Sequence, residues 1–422
     1  MTSQQTKSYA KDEHTGKITD EGIERMRARI GVEMPKKPWQ TWNEVATLDA
    51  IRHFAYGYGD DNPLWIDAEH GAKSRWRNNI APPSFLYSMG VTEKKEISEE
   101  DRKKGGGALA GVHAFWSGDE VEWFRPVYVG DKIWEKRFIQ SVEKKQSAFA
   151  GVSVVTRDRT MYINNRGEVV CNWDRLFVRA ERKTTEGGER KKHEKIERGQ
   201  YAEEDLKKIE AAYDAEERRG DSPRYWEDVK EGDIVTPVVH GPLLMSDEIA
   251  WHQGNGRWEI FPHHVGLKLR RRHPGFYTLN DWGVPEAVMR CHWDDNYARK
   301  VGNPFAYDNG IMRSSWMMHL VTNWMGDDGW LWKVKDRIIA FNYYGDTSWV
   351  TGKVARKYIA QENGAHVAEI EVSCDDQRGR KTALATATVL LPSKEAGPVL
   401  LPQPERGMEG HRIGARPPKL GS

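Results

Sequence analysis

Apolar positions along the chain change period at Ala108, from helical to alternating, and the same change recurs in the second half. Asp49 heads a run in which Ile51, Phe54, Ala55 and Tyr58 recur at three- and four-residue spacing and stop at Gly59, which predicts a helix. A second helix is predicted after Pro83, through Phe85, Leu86 and Met89 to Gly90. From Ala108 onward, stretches around Val121–Phe124, Lys132–Trp134, Phe149–Val155 and Glu168–Trp173 alternate or concentrate β-branched and aromatic residues. Turns at Gly130-Asp131 and Asn164–Gly167 punctuate them, so this region reads as an antiparallel sheet. The first residues, to about 35, show only a short helical stretch at Gly22–Ile30 and read as an arm.

Glu, Lys and Arg then dominate Arg182–Gly220, whose second half, Tyr201–Arg219, places Leu206, Ile209 and Tyr213 on one face of a linker helix. After Pro223 the pattern restarts. A helix is predicted from Ser246 to His252 with Ser246 as its N-cap, followed by an irregular region from Gly254 to Arg290. Another helix follows Gly310, carrying Met312, Trp316, Met317, Leu320 and Trp324, and a sheet occupies Ile338–Leu391. The turn Tyr128–Trp134 is matched by Tyr343–Trp349, each with Gly-Asp at its centre. Helix first and strands afterwards is an α+β layout in which the sheet wraps a central helix. The division is an N-terminal extension (1–38), a first module (39–181), a charged helical linker (182–222), a second module (223–395) and a Pro/Gly-rich tail (396–422) lying extended on the surface.

Length fits two modules: 422 residues exceed what one core usually supports, about 250–300. The 64 basic and 63 acidic side chains nearly cancel, so no global field points to nucleic acid or to an anionic membrane surface. No apolar run approaches the roughly 20 residues that span a bilayer. Cys171, Cys291 and Cys374 form no metal-type pair and read as ordinary buried thiols in a reducing, cytoplasmic setting. Eighteen tryptophans fill contacts between elements or line an aromatic pocket.

Candidate chemistry comes from a motif that occurs twice, incomplete each time. Tyr58–Asp67 (YGDDNPLWID) aligns without a gap on Pro285–Asp294 at an offset of 227, so that Trp65 falls on His292, Asp67 on Asp294, Ile80 on Tyr307 and Pro83 on Gly310. The first copy has a carboxylate, Asp60, and no histidine; the second has His292, but Ala287 stands where the carboxylate would be. Read on their own, Asp60 is turn-forming, Asp67 and Asp294 are helix caps, and His292 is either a satisfied structural histidine or a proton carrier.

Gly59–Leu64, Ile80–Leu86, His292–Ala298 and Tyr307–Gly310 resemble the MaoC-like (R)-specific enoyl-CoA hydratase and 3-hydroxyacyl dehydratase family in its double hot-dog form. The first copy resembles the fatty-acid-synthase-type dehydratase N-terminal domain. The resemblance covers roughly residues 40 to 395 outside the linker, and the first motif is the more specific. It implies an α+β double hot-dog and a hydro-lyase that adds water to a 2-enoyl-CoA thioester or removes it from a 3-hydroxyacyl-CoA, with no cofactor and no metal. Family members carry Gly-Asp-x-Asn-Pro-x-His, whose carboxylate and imidazole share one water. Position by position, Asp60 matches the carboxylate, Asn62 its supporting amide and His292 the imidazole, with Asp294 a supporting residue. Gly310, preceded by Asn309, matches the residue whose N–H polarises the thioester carbonyl.

Trp65 and Ala287 break the pattern, and three accounts stay open. A residue near the long second-module segment assists His292, with His252, Asn255 and Asp281 as candidates; or Asp60 reaches His292 between modules; or the chain binds a thioester without this chemistry, as an auxiliary subunit or a thioesterase. Lys268, Arg270, Arg271 and Arg272 could pair with the phosphates of coenzyme A or form a solvated loop or subunit contact. His263-His264 lacks further ligands at metal spacing, Asp327-Asp328 reads as a turn, and Gly105–Gly107 fails as a phosphate loop. The partners expected are an acyl-CoA, neither nucleic acid nor membrane, and a second copy of the chain in a homodimer or another subunit in a heteromer. The tryptophans and the long second-module segment suggest a ring-bearing or branched acyl group.

Overall fold

Side-chain acceptors mark where most early helices begin. Thr47, Asn62, Asp67 and Asp294 each take a backbone N–H from the first turn of the helix that follows them. A computed structural model describes residues 16–34, 43–91, 98–104, 108–147, 151–181, 196–256, 260–361 and 363–404. Along the chain come α1 (Asp20–Arg27), α2 (Leu48–Tyr58), α3 (Pro63–Ile66), α4 (Ala68–Lys73), a 3-10 turn at Pro83–Ser88, and α5 (Glu99–Lys103). Strands β1 (His113–Trp123), β2 (Ile133–Ser147), β3 (Gly151–Asn164) and β4 (Val169–Ala180) close the first module. After α6 (Glu203–Asp214) the second module runs β5 (Ile234–His240), α7 (Met245–Asn255), α8 (His263–Arg272), β6 (Tyr277–Leu279), β7 (Pro285–Ala287), a 3-10 turn at Val288–His292, and α9 (Asp295–Lys300). It ends with α10 (Gly310–Met325), β8 (Trp330–Ile338), β9 (Ser348–Ile359), β10 (His366–Asp376) and β11 (Lys381–Leu390). The predicted Gly105–Gly107 loop, much of the arm, the start of the linker and the end of the tail lie outside the described residues.

This is an α+β double hot-dog, with its two half-sheets fused edge to edge. One nine-stranded sheet runs β2-β3-β4-β1-β8-β11-β10-β9-β5. The seam is the antiparallel pair β1–β8, where Lys335 pairs with Glu120 at 2.8 Å and Lys333 with Glu122 at 3.2 Å. Beside it, Asp119 N–H donates to Asp336 Oδ1 at 2.8 Å, and β1 bulges at Gly118, where a Cβ would meet the Asp336 carbonyl at 2.2 Å. The repeated turns superimpose in chemistry: Tyr128 N–H donates to Asp131 and Tyr343 N–H to Asp346, and each aspartate also binds an arginine, Arg166 or Arg378.

The central helix of the second module is α10, buried at every position from Ile311 to Met325. Its one charged residue, Arg313, pairs with buried Asp308 at 2.7 Å and donates to the carbonyls of Ala340 and Thr382. The first module differs from expectation here. The helix predicted after Pro83 is only the six-residue 3-10 turn, which opens on two consecutive prolines. A second correction concerns α7: it starts a residue earlier, at Met245, so Ser246 lies inside the helix, and Asp247 accepts from the Leu244 N–H.

α2 and α7 pack against each other as equivalent helices. A Cβ on Gly57 would lie 3.3 Å from Gly254 Cα, and one on Gly254 would meet the His53 carbonyl at 2.2 Å, so both glycines allow the helix backbones to touch. Phe54 and Trp251 meet at the same crossing, with ring centroids 5.6 Å apart. Gly57 to Gly254 is an offset of 197, whereas the motif offset is 227. The difference is an insertion of 30 residues after α7, which holds α8 and the β6–β7 hairpin. Part of the predicted irregular region is thus ordered. Buried Arg290 ties this hairpin to the turn bearing His292 by donating to the carbonyls of Thr278, Leu279 and Glu286. Gly254→Ala is expected to destabilise the protein by about 1–3 kcal/mol in urea unfolding, because the backbones must separate. An unchanged midpoint would show that the crossing is not tight.

Candidate active site

The 3-10 turn at Val288–His292, the N-terminus of α10 and the inner face of α7 contribute one group of polar side chains. His292 Nδ1 lies 2.9 Å from the Tyr307 carbonyl oxygen, and the Tyr344 hydroxyl donates to the His292 carbonyl at 2.5 Å, so ring and backbone are both tethered. The Tyr307 ring stands edge-on to the imidazole at 4.9 Å between centroids. Burial pushes the His292 ring toward neutrality. The Cys291 sulfur, the charge of Glu248 and the Tyr307 carbonyl outweigh it and raise the ring to about 9. Burial likewise raises the Cys291 thiol, yet the neighbouring imidazole brings it below its usual value. Cys291 is therefore a half-buried partner of His292, unlike Cys171 and Cys374, which are the buried thiols expected.

Glu248 is the residue that the motif did not reveal. It is buried on α7, on the same inward face as Trp251 and Asn255. Its Oε1 accepts from Asn309 Nδ2 in a short contact and lies 3.0 Å from His252 Nε2. Its Oε2 is buried and has no hydrogen-bond partner among the described residues. Its charge raises the proton affinity of His292, Asp308 and Tyr344. Asp308 is held at about 6, chiefly by burial. Asn309 precedes Gly310, the first residue of α10, and turns its amide to Glu248 instead of capping the helix. Among the described residues no acceptor takes the Gly310 N–H, as is usual at a helix start.

The other predicted residues divide. His252 joins Glu248, and Asn255 is buried at the end of α7. Asp281 does not assist His292: it lies at the surface, bound to Asn296 and Lys300. Asp60 does not meet His292 either. Its oxygens accept from the Tyr58 hydroxyl, the Asn62 N–H and the Trp65 indole N–H, and His319 of α10 stands 3.6 Å away. Where the second copy has His292, Trp65 thus spends its indole N–H on Asp60 and offers no acid–base group. Asn62 and Asp294 cap helices. Lys268, Arg271 and Arg272 are exposed and Arg270 is half-buried on α8, inside the insertion. Among the described residues no group of three or more His, Cys, Asp or Glu is placed to hold a metal. No helix there is long and apolar enough to cross a membrane.

Comparison with known proteins adds to this geometry. Residues 29–173 match the family model described as FAS1-like, dehydratase domain region. A UPF0336 protein of Streptomyces coelicolor is 28% identical over 147 residues, covering 35% of this chain and 89% of that protein. A probable enoyl-CoA hydratase alpha subunit of Thermomonospora curvata is 28% identical over 157 residues, covering 35% of this chain and 49% of that protein. Among solved structures, a MaoC-like dehydratase aligns with a TM-score of 0.57 at 16% identity, over 86% of this chain and 99% of its own. A putative MaoC domain protein dehydratase from Chloroflexus aurantiacus aligns with a TM-score of 0.51 at 11% identity, over 83% of this chain and 93% of its own.

Cys291→Ala tests the coupling at His292. The ring is expected to lose its proton with a midpoint near 9 in the native chain and to bind the proton at least tenfold more weakly in the variant, read by NMR titration of the imidazole. An unmoved midpoint would remove Cys291 as the cause.

Proposed function

We propose that the chain, whose fold is that of the MaoC-like double hot-dog proteins, is a hydro-lyase that hydrates a 2-enoyl-CoA or dehydrates a 3-hydroxyacyl-CoA, with His292 and Glu248 handling the protons. Glu248 carries this reading: a buried carboxylate with one oxygen held at the head of α10 and the other unpartnered, whose charge acts on His292. It stands in for the carboxylate missing at Ala287. In the hydration direction, Glu248 accepts a proton from water as the water oxygen bonds to Cβ. The electron pair of the double bond moves toward the thioester carbonyl, whose oxygen the Gly310 N–H receives. Cα then takes the proton of the His292 imidazolium. Glu248 ends protonated and His292 neutral, and His252, beside Glu248, offers a path for the proton to return. Lys268, Arg270, Arg271 and Arg272 would meet the phosphates of coenzyme A.

A second reading draws on the Thermomonospora curvata relative, which is described as an alpha subunit. On that reading this chain works with a different chain, and hydration requires both.

His292→Ala and Glu248→Gln are each expected to lower hydration of an enoyl-CoA by about 10²–10⁴-fold, followed by absorbance of the conjugated bond. Unchanged far-UV circular dichroism would show that the fold is kept. An active chain with an unaltered rate in either variant would overturn that residue's role. Hydration that appears only on adding a second subunit would favour the second reading, and free thiol release would identify a thioesterase.

A further inference from the structure

Away from the candidate active site, a second group of titratable side chains meets on α10. His319 Nε2 lies 3.2 Å from Glu216 Oε1 and 3.6 Å from Asp60 Oδ1, and both the ring and the Asp60 carboxylate are buried. Glu216 Oε1 also accepts from Asn323 Nδ2 at 2.8 Å. A neutral imidazole here would leave two carboxylates facing one another with their charge unopposed, whereas an imidazolium balances them.

Glu216 belongs to a strap, residues 213–219, that follows α6 and crosses from the second module to the first. The Tyr213 hydroxyl donates to the Gly241 carbonyl at 2.8 Å, Glu217 accepts from the Thr236 hydroxyl at 2.9 Å, the Arg219 N–H donates to the Asn323 carbonyl at 2.9 Å, and Arg218 pairs with Asp61 of the first module. Ion pairs and hydrogen bonds at the surface contribute little. Glu216 is the strap side chain that reaches the buried helix.

We propose that His319, Glu216 and Asp60 form a pH-sensitive latch, in which the imidazolium holds the strap onto α10 and against the first module, and loss of its proton releases the strap. Burial opposes the His319 proton, but the Asp60 charge and the bond to Glu216 outweigh it and hold the ring above its usual value. Glu216 moves the other way: burial raises it, and the His319 bond and charge bring it below its usual value. The remaining groups that face His319 are His240, Tyr58 and Arg218. His240 of β5 stacks on Trp316 and stands 5.6 Å from His319, and burial with the His319 charge holds it well below its usual range, so it stays neutral. The Tyr58 ring stands edge-on at 6.2 Å, and burial with the Asp60 charge raises its hydroxyl, so it stays protonated. Arg218 opposes the imidazolium, but its own partner is Asp61.

A raised imidazole contributes stability that is complete below its unfolded value, about pH 6.5, and is lost as pH climbs through its folded value. A lowered carboxylate contributes stability above its ordinary range and loses it in acid. The latch is therefore closed in weak acid and opens toward alkaline pH. This goes beyond the hydro-lyase reading and does not depend on it.

Limited proteolysis of the full-length chain tests it, because trypsin reaches the bonds after Arg218 and Arg219 when the strap lifts. Cleavage there, normalised at each pH to hydrolysis of a small chromogenic substrate, is expected to rise at least about threefold from about pH 6.5 to about pH 9 while far-UV circular dichroism stays constant. In Glu216→Gln, which keeps the size and removes the charge, cleavage should already be high at the lower pH and vary by less than about twofold. NMR of nitrogen-labelled histidine gives a readout on the unmutated protein: the His319 signal, assigned through its contact with the Tyr58 ring, should titrate above the value of an unfolded histidine and in step with cleavage. Cleavage that ignores pH, the same rise in a folded Glu216→Gln variant, or a His319 midpoint at or below the unfolded value would overturn the proposal. So would cleavage that rises only as the circular dichroism signal falls, since the whole chain would then be unfolding.

Discussion

The burial of α10 is the constraint to which both ends of the molecule answer. A helix inside a sheet must satisfy its polar groups internally, and α10 contains an arginine, a histidine, two serines, a threonine and an asparagine, all buried. Arg313 is the most demanding. Its charge is matched by Asp308 and two strand carbonyls, which fixes the helix along its axis and in rotation. His319 lies 3.2 Å from Glu216 of the linker and 3.6 Å from Asp60 of the first module, so linker and both modules meet at one side chain. With α10 held in this way, Asn309 at its head stays bonded to Glu248 of α7.

The two modules have diverged in opposite directions around that helix. In the first, a proline pair replaces the head of the central helix and an indole replaces the imidazole, while the carboxylate survives as a hydrogen-bond acceptor. In the second, the helix and the imidazole persist and the local carboxylate is gone. The 30-residue insertion accounts for part of this, because it lies between α7 and the motif and separates two segments that are contiguous in the first copy. Arg290 then rebuilds the link through three carbonyl contacts.

Much of the fold was legible in the sequence because its signals are local. The spacing of Ile51, Phe54 and Tyr58, the Gly59 stop and the paired Gly-Asp turns each depend on residues close in sequence. The helix expected after Pro83 failed because apolar spacing there is compatible with a shorter turn, and the prolines decide the matter. The fused sheet was out of reach, since β1 and β8 pair across more than 200 residues. His292 was visible through the repeat. Glu248 was not, because the motif offset leads from Asp60 to Ala287, whereas α7 obeys the helix offset of 197. That second offset puts Glu248 opposite Ile51, and a glutamate at an equivalent core position is the signal that could have exposed it.

On the proposed reading the carboxylate comes from α7, which gives the first module a role that its own residues no longer suggest. In a contiguous motif, carboxylate and imidazole share one short segment, and their separation is set locally. Here Glu248 sits on a helix whose axis is set by contact with α2, through Gly57 against Gly254 and Phe54 against Trp251. His292 sits on a turn held by Arg290 and Tyr344. The distance between the two therefore depends on packing between modules. A first module without acid–base chemistry would still be required for it, since without α2 there is no surface to hold α7, and Glu248 loses its fixed position relative to Asn309 and His292.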